Sequence, residues 1–208
     1  IFHTLDELFA PANKGKIEVL TELRDTVGVI MLAQGVDITK FTKDQYANAL
    51  DFLQKKISDG FIRQVKGNDY KEDLISGDAV AVIGWSGDAF QLAAENDGKF
   101  EFAIPESGGT ISADNFIIPS TSKNKANVEK LINYYYEPEV AAKVAAYVNY
   151  ITPVQGAQAA MEKVDPTLVN NELIFPSAKT QSMLHVFRNL TPAEETEFTD
   201  AFQKATGN

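Results

Sequence analysis

Short apolar runs alternate with longer amphipathic segments in the first half of the chain. Runs rich in Val, Ile and Phe and bounded by Gly, Asp or Pro predict buried strands, and they cover residues 16–20, 61–65, 78–85, 99–104 and 112–119. Segments in which apolar residues recur every three or four positions predict helices, and they cover residues 22–34, 43–57, 70–76 and 87–95. Strands that alternate with helices favour an α/β fold with a largely parallel, covered sheet.

The second half of the chain is mainly helical. Residues 124–136 and 138–149 predict consecutive helices divided at Pro138, because proline cannot continue the interior of a helix. The last helix is predicted to begin at Thr191, which is followed by a proline and, three positions on, by Glu194. An α/β part followed by a purely helical part is an unusual order of elements for one self-contained domain.

Composition excludes several kinds of site. The 208 residues contain no cysteine, which excludes disulfides, thiolate zinc sites, iron–sulfur clusters and cysteine nucleophiles. The two histidines, His3 and His185, are too few for a multi-histidine metal site, and a Ser-His-Asp triad would have to use one of them. We therefore expect no metal and no cofactor.

The net charge of −10 indicates what the surface attracts. An acidic surface repels nucleic acid and anionic membranes and attracts cations, although acidity also serves solubility alone. No apolar run approaches the ~20 residues that cross a bilayer. The first residues, IFHTLDELF, lack the pattern of a signal peptide, so we expect either a cytosolic protein or a numbering that begins after removed sequence.

Polar and aromatic side chains follow the predicted strands, where doubly wound folds bind ligands. Glu22 and Asp25 come after the first strand and lie three positions apart, on one face of a helical turn. They either complement the helix dipole or receive an ammonium group. Trp85, the single tryptophan, ends a strand before a helix. It is either a core residue or a platform for a cation.

Two later residues complete the candidate set. Asp114 lies in an apolar stretch predicted as a strand, where an acid is costly unless it is paired or exposed at a cleft. Asn115 is its expected hydrogen-bonding neighbour. Tyr150 ends a helix and offers a ring face and a hydroxyl, with packing in the core as the alternative. The predicted ligand site thus consists of Glu22, Asp25, Trp85, Asp114 and Tyr150.

Three segments of the chain form an ordered pattern: LDELFAPANKGKIEVL (5–20), SGDAVAVIGWSGDAF (76–90) and the stretch from PESGGTISADNFIIP to YITPV (105–154). Together they resemble the spermidine/putrescine-binding proteins of bacterial polyamine importers. The third is the most specific, because it is similar to the family's Pro-Glu-x-Gly-Gly, Asp-x-x-x-Ile-Pro and Tyr-x-Thr-Pro elements around two helices. The resemblance implies a periplasmic-binding-protein-like (type II) α/β lobe with a mostly parallel sheet, C-terminal helices and a first lobe that is largely absent.

The resemblance also implies a division of the chain. Residues 1–110 correspond to the second lobe of such a protein. Residues 111–160 correspond to a crossover segment that belongs partly to the first lobe. Residues 161–208 correspond to helices that return to the second lobe.

Each candidate residue takes a role from the resemblance. Glu22 and Asp25, with the acid types exchanged, would hold one end of a diamine, and Asp114 would pair with a second ammonium. Trp85 would stack along the methylene chain, and Tyr150 matches the family's late tyrosine. No catalytic residue is implied.

Two departures from the family leave the choice of polyamine open. Ser112 stands where the family has an aromatic residue two positions before the strand acid. The family's C-terminal glutamine has no clear match, and the nearest residues are Phe187 and Arg188. An arginine close to the pocket would oppose a cation.

The expected function is capture of a polyamine for an ABC transporter permease by a binding protein that catalyses no reaction. The resemblance implies a periplasmic or extracellular, membrane-anchored location, possession of a lipid anchor, a monomeric state and no nucleic-acid partner. The alternatives are a binding protein for another small solute (an amine, a sugar or a metal chelate), a carboxylate-dependent hydrolase that uses Glu22 and Asp25, or an interaction module formed by the helices of residues 124–208.

Overall fold

A three-stranded parallel sheet organises the first part of the protein in the computed structural model, which describes residues 1–207. Its central strand is β1 (Ile17–Leu20), flanked by β2 (Ile62–Lys66) and β3 (Ala81–Val82). The helices around this sheet are α1 (Leu5–Leu8), α2 (Leu23–Ala33), α3 (Lys43–Ser58), α4 (Tyr70–Ser76) and α5 (Ser86–Glu95). The first two predicted strands, the four predicted helices and the parallel arrangement are confirmed.

A second, two-stranded parallel sheet joins distant parts of the chain. It pairs β4 (Gly109–Thr110) with β5 (Leu184–His185). The helices of this half are α6 (Lys125–Tyr135), α7 (Pro138–Val148), α8 (Ala157–Val164), α9 (Ala178–Ser182) and α10 (Pro192–Thr206). Short 3-10 turns cover Pro11–Asn13 and Pro166–Leu168. Within residues 1–207, no helix combines the length and the apolar character needed to span a bilayer.

Three of the predicted strands need correction. The strand predicted at 78–85 is reduced to β3, and residues 99–104 and 112–119 form no strand. Within residues 1–207 neither segment pairs with a strand, so their backbone groups have no ladder partners. Residues 112–119 are mostly exposed, and Ile117 keeps 83% of its surface accessible. Apolar composition alone does not make a strand, because backbone N–H and C=O groups need a partner strand or water.

The larger hydrophobic core packs β1, α2 and α3 together with the C-terminal helix. The rings of Tyr46 and Phe198 stack with centroids 4.0 Å apart, and the Tyr46 hydroxyl donates a hydrogen bond to the Phe198 carbonyl at 3.1 Å. Phe187 and Phe202 are buried in the same cluster. The end of the chain is therefore fastened to the sheet formed by its beginning.

A smaller core lies between α7, α8 and the turns that follow them. Its buried members are Ala142, Ala145, Ala160, Met161, Leu168 and Ile174. The chain returns to the larger core at β5 and Phe187. The division into units 1–110, 111–160 and 161–208 stays a prediction, and Asn208 lies outside the described residues.

The start of α10 is fixed by a capping box, as the sequence predicts. The Thr191 hydroxyl accepts a hydrogen bond from the Glu194 N–H at 3.3 Å, and the Glu194 carboxylate accepts one from the Thr191 N–H at 2.9 Å. Arg188 pairs with the same carboxylate at 2.7 Å. The Arg188 guanidinium, followed by the Thr191 N–H, lowers the pKa of Glu194 from its usual 4.5 to about 2.

The capping box makes the protein sensitive to acid. Because the pKa of Glu194 is lower in the folded state than in the unfolded state, its contribution to stability is present above pH 4.5 and is lost as the pH falls towards 2. We expect Glu194→Gln to lower the melting temperature at pH 7 and to make little difference near pH 2. Thermal unfolding followed by circular dichroism between pH 2 and 7 measures this.

Glu162→Gln is the matched control, since Glu162 is an exposed glutamate of α8. Its melting curve should follow that of the wild type across the whole pH range. If Glu194→Gln lowered the melting temperature by the same amount at pH 2 and at pH 7, the role given to the ionised carboxylate would be contradicted.

Candidate functional site: an acidic and aromatic cluster at the end of the central strand

The carboxylate of Asp25 joins three segments of the chain. Asp25 lies in the first turn of α2, directly after β1. Its Oδ2 accepts a hydrogen bond from the Trp85 indole Nε1–H at 3.2 Å, and its Oδ1 accepts one from the Thr110 hydroxyl at 3.2 Å. Residues separated by 60 and 85 positions in the sequence therefore meet at one side chain.

Glu22 is a second acid, three positions before Asp25 in the sequence. It is the N-terminal cap residue of α2, at the carboxyl end of the central strand, and its side chain is exposed. Its Oε2 accepts a hydrogen bond from the Thr21 hydroxyl at 3.0 Å. Glu22 thus precedes the helix as its cap and Asp25 lies in its first turn, where the partial positive charge of the helix terminus favours negative side chains.

Trp85 is held at the start of α5 by polar contacts at both its backbone and its ring. It is the N-terminal cap residue of that helix, and its N–H donates a hydrogen bond to the Tyr70 hydroxyl at 3.3 Å. The Tyr70 and Trp85 rings lie 6.1 Å apart. Because its Nε1–H bonds to Asp25, the indole is fixed next to the acid while the residue stays partly exposed.

Tyr150 packs against the first turn of α5. A Cβ added to Gly87 would lie 2.4 Å from the Tyr150 Cε2 atom, so the ring occupies the space that a side chain at Gly87 would need. Burial raises the pKa of the Tyr150 hydroxyl to about 12, and the negative charges of Asp88 and Asp114 contribute to the increase. Tyr150 is therefore packed on the start of α5.

The expectations for Asp114 and Asn115 are wrong in part. Asp114 is in an exposed loop rather than in a strand, so water solvates its charge and no buried partner is required. The Asn115 amide donates to the Ala113 carbonyl at 3.2 Å and not to Asp114. The link between Asp114 and the other candidate residues is its negative charge, which contributes to the raised pKa of the Tyr150 hydroxyl.

Three polar residues of this cluster escape prediction from the sequence. They are Thr110, Tyr70 and Asp88. Asp88 is buried, accepts a hydrogen bond from the Tyr70 hydroxyl at 2.8 Å and lies 3.5 Å from the Lys71 ammonium. The only sequence signal for Asp88 is its place in the Ser-Gly-Asp opening of α5, which the helix dipole explains equally well.

The concern about Arg188 is removed by its contacts. Its guanidinium pairs with Glu194, donates to the Phe41 carbonyl at 3.0 Å and lies 4.3 Å from the centre of the Phe41 ring. Arg188 is therefore bound at the N-terminal end of α10, where the Glu194 carboxylate balances its charge.

A concavity lined by both apolar and uncharged polar side chains lies near the cluster. It has a volume of about 380 Å³, and Ile111 and Ile151 lie in its wall, next in sequence to Thr110 and Tyr150. Its lining has no charged side chain, so it lacks the charge that a cation needs. Among residues 1–207, no group of three or more His, Asp or Glu side chains is arranged to hold a metal ion.

The contact between Gly87 and Tyr150 can be tested directly. Gly87→Ala should lower the free energy of unfolding by about 1–3 kcal/mol, because the added methyl group overlaps the Tyr150 ring. Urea denaturation measures the loss. Gly67→Ala is the control, since its nearest contact would be the Thr21 hydroxyl at an ordinary 3.6 Å. In a protein that already carries Tyr150→Ala, Gly87→Ala should no longer lower the free energy of unfolding by this extra amount. If Gly87→Ala and Gly67→Ala lowered the free energy of unfolding equally, the proposed contact with the ring would be contradicted.

Comparison with known proteins identifies the family of this chain. Residues 2–175 match the family described as bacterial extracellular solute-binding protein. The putrescine-binding periplasmic protein PotF of Escherichia coli is 26% identical over 96% of this chain, and the spermidine/putrescine-binding periplasmic protein of the same organism is 27% identical over 84%. The chain spans about half the length of these curated relatives, 55% and 48% respectively.

Solved structures share the fold. A Listeria monocytogenes structure assigned to a spermidine/putrescine ABC transporter superposes with a TM-score of 0.85 and 28% identity, over 99% of this chain and 62% of the other. The Tp0655 lipoprotein of Treponema pallidum superposes with a TM-score of 0.78 at 14% identity, over 100% of this chain and 63% of the other. The predicted periplasmic-binding-protein-like α/β fold is confirmed. The chain belongs to the family of bacterial extracellular solute-binding proteins.

Proposed function

We propose that the protein captures a polyamine such as putrescine or spermidine outside the cytoplasm and delivers it to an ABC importer. The observation that carries the proposal is the Asp25 carboxylate, which is held by Trp85 and Thr110 in the first turn of the helix that a second acid, Glu22, caps. Carboxylates next to an indole are the groups that recognise an alkylammonium ion. The names of the Escherichia coli relatives, which bind putrescine and spermidine, support the same choice.

The recognition chemistry divides between charge and methylene contacts. Glu22 and Asp25 bind one ammonium group, and Asp114 binds the other. Trp85 and Tyr150 pack the intervening carbon chain, at roughly 0.8 kcal/mol for each CH₂ removed from water. The spacing between the two acidic ends selects the length of the polyamine.

Closure between two lobes traps the solute. Residues 1–110 form one lobe, 111–160 cross towards the other, and 161–208 return. The crossover segment supports this division, because it exposes large apolar side chains at Phe116, Ile117, Leu131, Tyr134 and Tyr147. Exposed apolar surface of this kind usually contacts another part of a protein. Further chain packed on this face would also supply the second wall of the cleft, and hinge motion would enclose the ligand.

The remaining features follow the family. The protein acts as a monomer, makes and breaks no covalent bond, and docks on its permease after closure. It resides in the periplasm or is held at the outer face of the membrane, where a lipid anchor is one means of attachment. The T. pallidum structural relative is a lipoprotein.

Ligand binding can be tested by thermal shift and calorimetry on the full-length protein with putrescine, spermidine and a neutral sugar. A polyamine at 100 times its dissociation constant should stabilise the protein by about 2.7 kcal/mol, while the sugar should leave the melting temperature unchanged. A rise with the sugar and none with either polyamine would reverse the choice of ligand. Substrate turnover that Glu22→Gln abolishes would favour the hydrolase instead.

Asp114 provides the sharpest test among the site residues. We expect Asp114→Asn to weaken polyamine binding at least about tenfold, because the second ammonium loses its charge partner in a closed cleft. Isothermal titration calorimetry measures the change. Asp51→Asn, at an exposed position of α3, removes the same charge elsewhere and should leave the affinity within about twofold. Unchanged affinity in Asp114→Asn removes that residue from the site.

A further inference from the structure

Arg24 carries a positive charge that is able to bind the same two acids as the proposed ligand. It lies in the sequence between the two acids, Glu22 and Asp25, in the first turn of α2. A guanidinium is always charged and forms strong bonds with carboxylates, so it is chemically able to take the place of an ammonium group. Glu22 is a cap residue outside the regular helix, and helical geometry alone does not keep the long arginine side chain away from it.

The structure shows that Arg24 points to a different acid. One of its terminal nitrogens lies 2.5 Å from Oε2 of Glu195, a residue 171 positions away in the first turn of α10. Its guanidinium carbon lies 5.9 Å from the centre of the Phe187 ring. The hydrogen bonds to Asp25 come instead from Trp85 and Thr110.

The position of Glu195 is fixed by the packing of α10. The helix begins at the Thr191 capping box and is held on α3 by the stacked rings of Tyr46 and Phe198. Lys43 of α3 forms an ion pair with Glu197 at 2.5 Å on the same helix. Glu195 is therefore presented to Arg24 by a fastened helix rather than by a mobile loop.

We infer that Glu195 is a positioning residue that holds the Arg24 guanidinium away from Glu22 and Asp25 and so keeps their negative charge available to a cationic ligand. The inference rests on the proposed function. The side chains of Arg24 and Glu195 are 44% and 45% exposed, and ion pairs of this exposure contribute little to stability. The effect of the pair is therefore expected in ligand affinity and not in the melting temperature.

Putrescine titrations of the full-length wild type, Glu195→Gln, Arg24→Gln and the double variant test the inference. Glu195→Gln should weaken binding about threefold to tenfold, since Arg24 is released to pair with the acids. The double variant should recover the affinity of Arg24→Gln within about twofold, because the competitor is gone. All four melting temperatures should agree within about 2 °C.

Glu197→Gln is the matched control, because it removes one negative charge from the same helix without freeing Arg24. Its affinity should stay within about twofold of the wild type. Unchanged affinity in Glu195→Gln, or a double variant as weak as Glu195→Gln, overturns the inference while leaving the proposed function intact. A wild type that binds neither putrescine nor spermidine overturns both.

Discussion

The hydrogen bonds accepted by the Asp25 carboxylate hold the candidate site together. Trp85 reaches it from the start of α5 and Thr110 from β4, so one acid connects the central strand with two segments that come much later in the sequence. A carboxylate that is bound in this way is a structural bridge, and in the proposed function it is also a charge presented to the ligand. The loss of either partner would leave the Asp25 carboxylate with one of these two hydrogen bonds.

A second set of charged side chains surrounds the central strand β1. Glu18 of β1 is fully buried and pairs with Arg63 at 3.0 Å. Burial, followed by contact with the Asp73 carboxyl group, raises the pKa of Glu18. Asp73 also pairs with Lys66, and α4, which carries Asp73, begins at Tyr70 of the candidate site. Such a buried network is costly to disrupt, because removing one partner leaves an uncompensated charge. It fixes α4, and through α4 the tyrosine that positions Trp85.

Local rules predict much of the fold from particular residues. Thr42 with Gln45 and Thr191 with Glu194 form the capping boxes that their spacing indicates, and Pro138 divides α6 from α7. The prediction of strands at 99–104 and 112–119 is wrong, and the reason is physical. Helix caps depend on neighbours within four residues, whereas a strand depends on a partner that is distant in sequence, and in the described residues these two segments have none.

The sequence by itself determined the longer helices, the first two strands, the acidic net charge and the candidate residues near the strand ends. These follow from periodicity, capping and charge within short windows. Only the tertiary structure decided that Trp85 and Thr110 share Asp25, that Tyr150 lies on Gly87, and that Arg24 turns to Glu195. Each of these contacts joins residues about 60 or more positions apart. These contacts form because the packing of helices and strands brings the side chains together. No local sequence pattern specifies which distant residues will meet.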